Sequence, residues 1–289
     1  MRKYTCAVGA SLVLLFWNEP ATAAKIENHP HHPSDGCGRP APETAPTTVA
    51  VGKRTRALII TVPKSYQPDH PHTLVVAFHG RTNSNAEVRG YFDLERNASE
   101  PTIFVYPAGL PDASGRNTWS DPGDPPSGLR DFKLFDAILA MIMHAYCIDR
   151  DRVFVVGHSL GAWFANNLAC ARGDVIRGLA SVGGGSTRPK DCGGPVAAMV
   201  LHNPSDAHVP IAQGLQVRNA LLEQNHLSAV SKPDHLNRFE CSRYGPKTAE
   251  NPVLWCPYAD NFTANGRFYP HQWPAGSGAA VMEFFAALQ

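Results

Sequence analysis

The chain lacks a charge excess of either sign: 26 Lys and Arg stand against 25 Asp and Glu over 289 residues, and no basic run exceeds a few residues. Without a basic face there is no electrostatic footprint for a nucleic-acid backbone. Long apolar runs are scarce as well. The most apolar stretch, Cys6 to Trp17, is too short to span a bilayer, so no membrane anchor is expected. Closely spaced cysteine pairs are missing, which removes the usual framework of a structural zinc site. There is no internal repeat and no low-complexity tract. Neither a metal nor a cofactor is expected.

The first residues do carry a pattern. Arg2 and Lys3 precede the apolar stretch, and Asn18-Glu19-Pro20 and the small residues Ala21-Thr22-Ala23-Ala24 follow it. This reads as a secretory signal peptide over 1–24, cleaved after Ala23 or Ala24. Cys6 lies ahead of the apolar run rather than behind it, which argues against a lipoprotein anchor. The expected destination is extracellular, or periplasmic in a Gram-negative host. Removing the signal leaves Cys37, Cys147, Cys170, Cys192, Cys241 and Cys256. An even set in an exported chain points to disulfides, although six cysteines allow 15 connectivities. Asn97-Ala98-Ser99 and Asn261-Phe262-Thr263 are glycosylation acceptors if the host is eukaryotic. Residues 25–46 hold five prolines together with His29, His31 and His32. They read as a solvated linker rather than a metal site, ahead of one catalytic domain over 47–289.

Within that domain apolar runs at 58–62, 74–78, 103–106, 153–156, 179–182, 196–201 and 253–255 alternate with helical stretches at 131–146, 162–171, 211–224 and 279–288. In the stretch 131–146, Phe132, Phe135, Ile138, Leu139 and Ile142 recur at helix spacing. Near-continuous apolar strands alternating with helices imply an α/β fold whose mostly parallel sheet is covered on both faces. In such sheets the chemistry gathers at the carboxyl ends of the strands.

The run Val153-Phe154-Val155-Val156 stops at Gly157-His158-Ser159-Leu160-Gly161. One reading is a turn with Ser159 as a helix N-cap. The other is a nucleophile elbow, in which only glycine tolerates the close approach on either side of the serine. A nucleophilic serine needs a base and an acid to orient it. Asp206 lies just past the strand 196–201, where an orienting acid belongs, whereas Asp191 precedes a strand and Asp234 follows a helix. His271 lies after the last strand and before the final helix. His202 and His208, which flank Asp206, are its competitors; His226 and His235 fall toward the other end of the sheet. The backbone N–H groups of Leu160 and Arg81 are the candidate oxyanion donors, and His79 is a candidate brace for the loop that carries Arg81.

These pieces together resemble the secreted α/β-hydrolase esterases that group type C feruloyl esterases with polyhydroxybutyrate depolymerases. The resemblance is carried by Gly36-Cys37-Gly38, Phe78-His79-Gly80, Tyr146-Cys147-Ile148-Asp149, the GHSLG elbow, the Asp206 loop ending Val209-Pro210, and His271-Gln272-Trp273-Pro274. It spans residues 36 to 289. It implies ester hydrolysis by Ser159, Asp206 and His271 and the disulfides Cys37–Cys147, Cys170–Cys192 and Cys241–Cys256. The last pair is also readable from the residues, since both cysteines lie on runs able to pair as antiparallel neighbours. One departure stands out: the family strand ahead of the acid usually ends His-Gly, where this chain has His202-Asn203.

The stretch from Gly183 to Pro195 is too short for a large lid, so an open cleft able to take a polymer-linked ester is expected. Trp119 and Trp273 are candidates for an aromatic platform under a feruloyl ring; packing of either Trp within its loop is an equal alternative. Three function classes follow: an esterase releasing hydroxycinnamic acids from plant cell-wall polysaccharide, a depolymerase of polyhydroxybutyrate or another short-chain polyester, and a catalytically silent binding protein.

Overall fold

The computed structural model describes Met1 and residues 31–121, 123–125, 129–187 and 191–288. Residues 2–24 of the expected signal peptide and 25–30 of the linker lie outside the described residues. The strands are β1 (Thr48–Val51), β2 (Arg54–Thr61), β3 (His72–Phe78), β4 (Thr102–Pro107), β5 (Leu110–Pro111), β6 (Asn117–Thr118), β7 (Ile148–His158), β8 (Gly178–Val182), β9 (Ala197–His202), β10 (Ser231–Leu236), β11 (Phe239–Tyr244) and β12 (Val253–Pro257). The helices are α1 (Asn85–Phe92), α2 (Leu94–Asn97), α3 (Arg130–Ala145), α4 (Leu160–Ala171), α5 (Ile211–Gln224) and α6 (Ser277–Ala286).

Ten strands form one sheet in the order β1-β2-β4-β3-β7-β8-β9-β12-β11-β10, and β5 and β6 make a separate ribbon. The six strands from β4 to β12 run parallel. Every residue of β3 is buried, because helices cover both faces of the sheet. Leu74, Val76 and Phe78 point to one side, where Phe132, Phe135, Ile138 and Ile142 of α3, Phe164 and Leu168 of α4, and Val217 and Leu221 of α5 pack. Val75 and Ala77 point to the other, against Val88 and Phe92 of α1 and Val281, Phe284 and Phe285 of α6. The helix spacing read at 131–146 is thus the core face of α3.

Both edges of the sheet turn antiparallel, β1-β2 at one and β11-β10 at the other. Strands β1, β10 and β11 have no counterpart among the apolar runs. The sequence of β10, Ser-Lys-Pro-Asp-His-Leu, buries only Leu236 fully, and its Lys232 and Pro233 blunt an edge that could otherwise pair with another chain. Asp234 lies on this edge strand, the first element after α5, and is paired with Arg243.

His31–Gln289 forms one compact unit. Within the stretch read as a linker, residues 31–39 are packed against the rest of this unit. Pro33 bridges to Asp149, and the buried Ser34 donates its hydroxyl to Tyr146 O while accepting the N–H of Ile148. Cys37 is joined to Cys147. His31 and His32 face Asp149 and Asp151 at 2.5 Å each. Proline density rules out a helix but not docking of an extended segment. The other disulfides are Cys170–Cys192 and Cys241–Cys256. No helix among the described residues is long and apolar enough to cross a membrane.

Candidate active site

The parallel strands deliver their carboxyl ends to one edge of the sheet, and four of the following loops meet there. After β7 the chain turns at Ser159, whose φ of 55° and ψ of −122° put a side-chain-bearing residue where glycine is at home. The flanking glycines are sterically demanded. A Cβ on Gly157 would lie 2.3 Å from Gly161 O, and one on Gly161 would lie 2.2 Å from Phe78 O. Helix α4 begins at Leu160, so Ser159 stands at a helix N-terminus, yet its side chain makes no cap bond. The hydroxyl points elsewhere: Ser159 Oγ is 2.7 Å from His271 Nε2.

The other ring nitrogen of His271, Nδ1, is 2.6 Å from Asp206 Oδ2. The second carboxylate oxygen of Asp206 accepts the backbone N–H groups of His208 at 2.8 Å and Val209 at 2.9 Å. Burial pushes the Asp206 carboxyl up. The bonds from His271, Val209 and His208 outweigh it and hold the group below the usual carboxylate range. The result is a serine hydroxyl, an imidazole and a buried carboxylate in one hydrogen-bonded line, an arrangement able to turn a weak nucleophile into a strong one.

The loop after β3 runs alongside. A Cβ on Gly80 would be 3.3 Å from Ser159 Cβ, which places the backbone leading to Arg81 against the serine. Buried His79 braces this loop: its Nδ1 bonds Gly80 O and its Nε2 accepts the N–H of Gly109, both at 2.8 Å. The N–H of Leu160 belongs to the first turn of α4, where backbone donors lack intrahelical acceptors.

The chain is 31% identical over 212 residues to the probable feruloyl esterase C of Aspergillus flavus, an alignment that covers 69% of this chain and 73% of that protein. The chain belongs to the feruloyl esterase C family. It is a carboxylic ester hydrolase. Feruloyl esterase D of Neurospora crassa is 28% identical, over 74% of this chain and 73% of that one. Poly(3-hydroxyalkanoate) depolymerase C of Paucimonas lemoignei is 30% identical over 149 residues, covering 49% of this chain and 34% of the depolymerase. Among solved structures, acetyl xylan esterase from Aspergillus awamori superposes with a TM-score of 0.59 at 15% identity, over 80% of this chain and 94% of that one, an α/β-hydrolase fold. No family model matches the chain.

Within this esterase the rival histidines occupy other places. His202 is buried and spends Nε2 on Val209 O at 2.8 Å, bracing the Asp206 loop. His208 is exposed and holds Asp206 through its backbone, not its ring. His235 pairs with Glu240 on the β10-β11 edge, and His226 closes α5 with a φ of 53°. Asp191 is exposed ahead of β9.

Of the two alternatives for Trp119, its surroundings match packing within the loop: it is 5% exposed, packs against Phe78 and Phe164, and donates its indole N–H to His79 O at 2.8 Å. It anchors the loop beside Ser159 from behind. Its neighbour Ser120 is held in turn by the buried Asp131, which also binds the buried Arg56 at 2.6 Å. Trp273 is half-buried and stacks on Phe92, with ring centroids 3.9 Å apart. Arg81 directs its guanidinium to Asp112 at 2.5 Å.

Two residues of the site went unread in the sequence. Asn203, fully buried, stands where the family pattern has glycine. Its Nδ2 reaches Asp260 O at 3.2 Å and Asn261 Oδ1 at 3.0 Å, and its Oδ1 accepts the N–H of Ser205. It therefore ties the loop carrying Asp206 to the segment leading into His271. The clue was the departure from His-Gly. His158, inside the elbow itself, lies under His271 with ring centroids 5.4 Å apart and shares a hydrogen bond with the Tyr91 hydroxyl at 3.2 Å.

Burial, and then the nearby His271, push the His158 imidazole down to about 3. The unfolded chain takes up this proton near the ordinary histidine value and the folded one does not, so stability present above about pH 6.5 falls as pH drops toward 3. Buried His72, His79 and His202 are also lowered and act with the same sign. At pH 4.5 the share of His158 amounts to about 2–3 kcal/mol. Thermal melts of wild type and His158→Leu between pH 7 and 4.5 measure it: the variant is expected to lose less stability on acidification, and parallel curves would refute the assignment.

Proposed function

We propose that the protein is an exported serine esterase that hydrolyses hydroxycinnamoyl, above all feruloyl, esters of plant cell-wall polysaccharide. The observation that carries the reading is the line Ser159–His271–Asp206, 2.7 and 2.6 Å long, on a serine held at positive φ. In the reaction His271 Nε2 takes the Ser159 proton as Oγ attacks the ester carbonyl. Asp206 keeps Nδ1 protonated and stabilises the imidazolium that forms. The backbone N–H groups of Leu160 and Arg81 meet the developing oxyanion, each donor contributing about 3 kcal/mol. His271 then returns the proton to the departing alcohol, and water attacks the acyl-enzyme by the same route in reverse. No cofactor enters this scheme. Trp273, partly exposed over the elbow side, is the remaining aromatic candidate for contact with the acyl ring.

The feruloyl preference is supported by the names of the relatives that cover most of their length. The depolymerase similarity covers a third of that enzyme and makes polyester the second reading. Export is supported by three disulfides among the described residues and by the sequence of residues 1–24. Assays on methyl ferulate, p-nitrophenyl butyrate and polyhydroxybutyrate film separate the classes. The expected result is turnover of methyl ferulate with kcat/KM above that of the butyrate ester. Release of hydroxybutyrate from film without ferulate release would overturn the substrate class.

Asn203→Gly checks the tie between the acid and base loops. Misplacing His271 by about 1 Å is enough to cost up to about a hundredfold in rate. The variant is expected to lose ten- to a hundredfold in kcat with KM little changed. A rise in KM at constant kcat would show instead that Asn203 shapes the substrate pocket.

A further inference from the structure

Among the described residues large apolar side chains are almost all covered. Of these, only Met1, Val230, Phe262 and Phe268 stand out as exposed, the two phenylalanines at 62% and 59%. Isolated exposed apolar residues are ordinary. These two are not isolated. They face each other across a bridge in the loop between β12 and His271, with ring centroids 5.4 Å apart.

The loop that presents them is stiff. Tyr269 N bonds Asn261 O, Thr263 N bonds Arg267 O, and Gly266, at a φ of 79°, closes the turn on Thr263 O. Gln272 Nε2 holds both Asp260 O and Phe262 O, and Asn203 holds Asp260 and Asn261 from the acid loop. A rigid hairpin holds two rings in water at no further ordering cost on binding. Rings continue from it toward the candidate active site: Tyr269 follows Phe268, and its ring lies 5.8 Å from that of His208 and 6.2 Å from that of His271.

Between the two rings in sequence lie exposed Asn265 and Arg267, the latter over the Tyr269 ring at 5.4 Å, while Thr263 Oγ1 is bonded within the turn to Asn265 Oδ1 and Arg267 O. Apolar ring faces alternating with donors and acceptors suit a ligand with C–H faces and hydroxyl edges, which is a pyranose chain. An aliphatic polyester surface has no hydroxyl donors to match them.

We propose that Phe262 and Phe268, continued by Tyr269, form a docking strip for the polysaccharide chain whose ester group lies at Ser159. The proposal deepens the reading of the site as one that cleaves polysaccharide-linked esters, and its test has an arm that does not depend on that reading. The variant is Phe262→Ser/Phe268→Ser, both positions being exposed enough that the melting temperature is expected to stay within a degree or two of wild type.

In the first arm, Ser159→Ala protein with and without the double substitution is co-sedimented with insoluble, de-esterified xylan. Retention by the parent and loss of at least about tenfold in apparent affinity in the double variant is the expected result, each ring face contributing several-fold. Equal retention by both, or retention by neither, overturns the proposal whatever the enzyme hydrolyses. In the second arm, the active enzyme and its double variant are compared on methyl ferulate and on insoluble feruloylated xylan. Activity on methyl ferulate is expected to stay within about twofold while release from the polymer falls about tenfold. Equal loss on both substrates would make the hairpin part of the catalytic centre and overturn the docking role. Rings needed for adsorption to polyhydroxybutyrate film but not to xylan would overturn the carbohydrate assignment. A wild type that adsorbs to xylan through these rings but releases no ferulate would sink the proposed reaction and leave the docking strip standing.

Discussion

Ser159→Ala is expected to lower kcat by about a million-fold while the fold survives. The size follows from the hydrogen-bonded line. Ser159 Oγ makes no helix-capping bond and is 2.7 Å from His271 Nε2, so on the proposed mechanism removing it deletes the attacking atom and little else. Only the residual acceleration from the oxyanion donors and substrate binding remains, about a thousandfold over water. His271→Ala is expected to be comparably damaging, because Ser159 without its base is an ordinary alcohol. The combined variant is expected to be no worse than either one, since residues acting as a unit are not additive. Steady-state kinetics on methyl ferulate measure all three. Near-normal turnover by Ser159→Ala would remove the elbow from the reaction.

The backbone at the elbow adds a second, separable readout. A non-glycine residue at φ 55° and ψ −122° carries strain of about 1–3 kcal/mol. Ser159→Gly is therefore expected to be as inactive as Ser159→Ala yet more stable than it by about 1–2 kcal/mol, less the chain entropy that glycine adds to the unfolded state. Chemical denaturation of the two inactive proteins compares strain without any contribution from activity.

The legible parts of this fold are those where one residue's environment is dictated by its sequence neighbours. Strand β3 is apolar at nearly every position because both faces are covered, and Phe132, Phe135, Ile138 and Ile142 mark the buried stripe of α3. The two glycines that flank Ser159, Gly157 and Gly161, are legible from their neighbours too. What escaped depends on partners far along the chain. Arg56 and Asp131 form a buried pair 75 residues apart. Trp119 looked available for substrate because nothing nearby in sequence claims its indole, whereas its partner is the carbonyl of His79, 40 residues away. Strand β10 was invisible for the opposite reason, since an edge strand with one fully buried residue has almost no apolar period to read. The segment 31–39 reads as solvated by composition, but its order comes from contacts with 143–151.

Those contacts lead to the largest stability effect. Cys37–Cys147 closes a loop of 110 residues, against 22 for Cys170–Cys192 and 15 for Cys241–Cys256. In the chain-entropy model a loop near 100 residues contributes about 4–5 kcal/mol and one of 15 about 3 kcal/mol. The total stability of a domain is about 5–15 kcal/mol. Cys37→Ser/Cys147→Ser is therefore expected to remove a third or more of it, and to do so by releasing the segment from His31 to Arg39. The hydrogen bonds of Ser34 to Tyr146 and Ile148, the Pro33–Asp149 bridge, the pairs of His31 and His32 with Asp149 and Asp151, and the bond from Gly36 N to Met143 O then have to hold that segment without the covalent link. Cys241→Ser/Cys256→Ser is expected to cost less in overall stability. Its effect falls instead on activity at raised temperature, because β12 ends at Pro257 and the chain runs from there into the hairpin that sets His271. Urea denaturation orders the two variants, and residual activity after heating separates their local effects. If the Cys37–Cys147 variant unfolded at the wild-type midpoint, the N-terminal segment would be a passive attachment. Its docking contacts would then contribute nothing to the stability of the sheet.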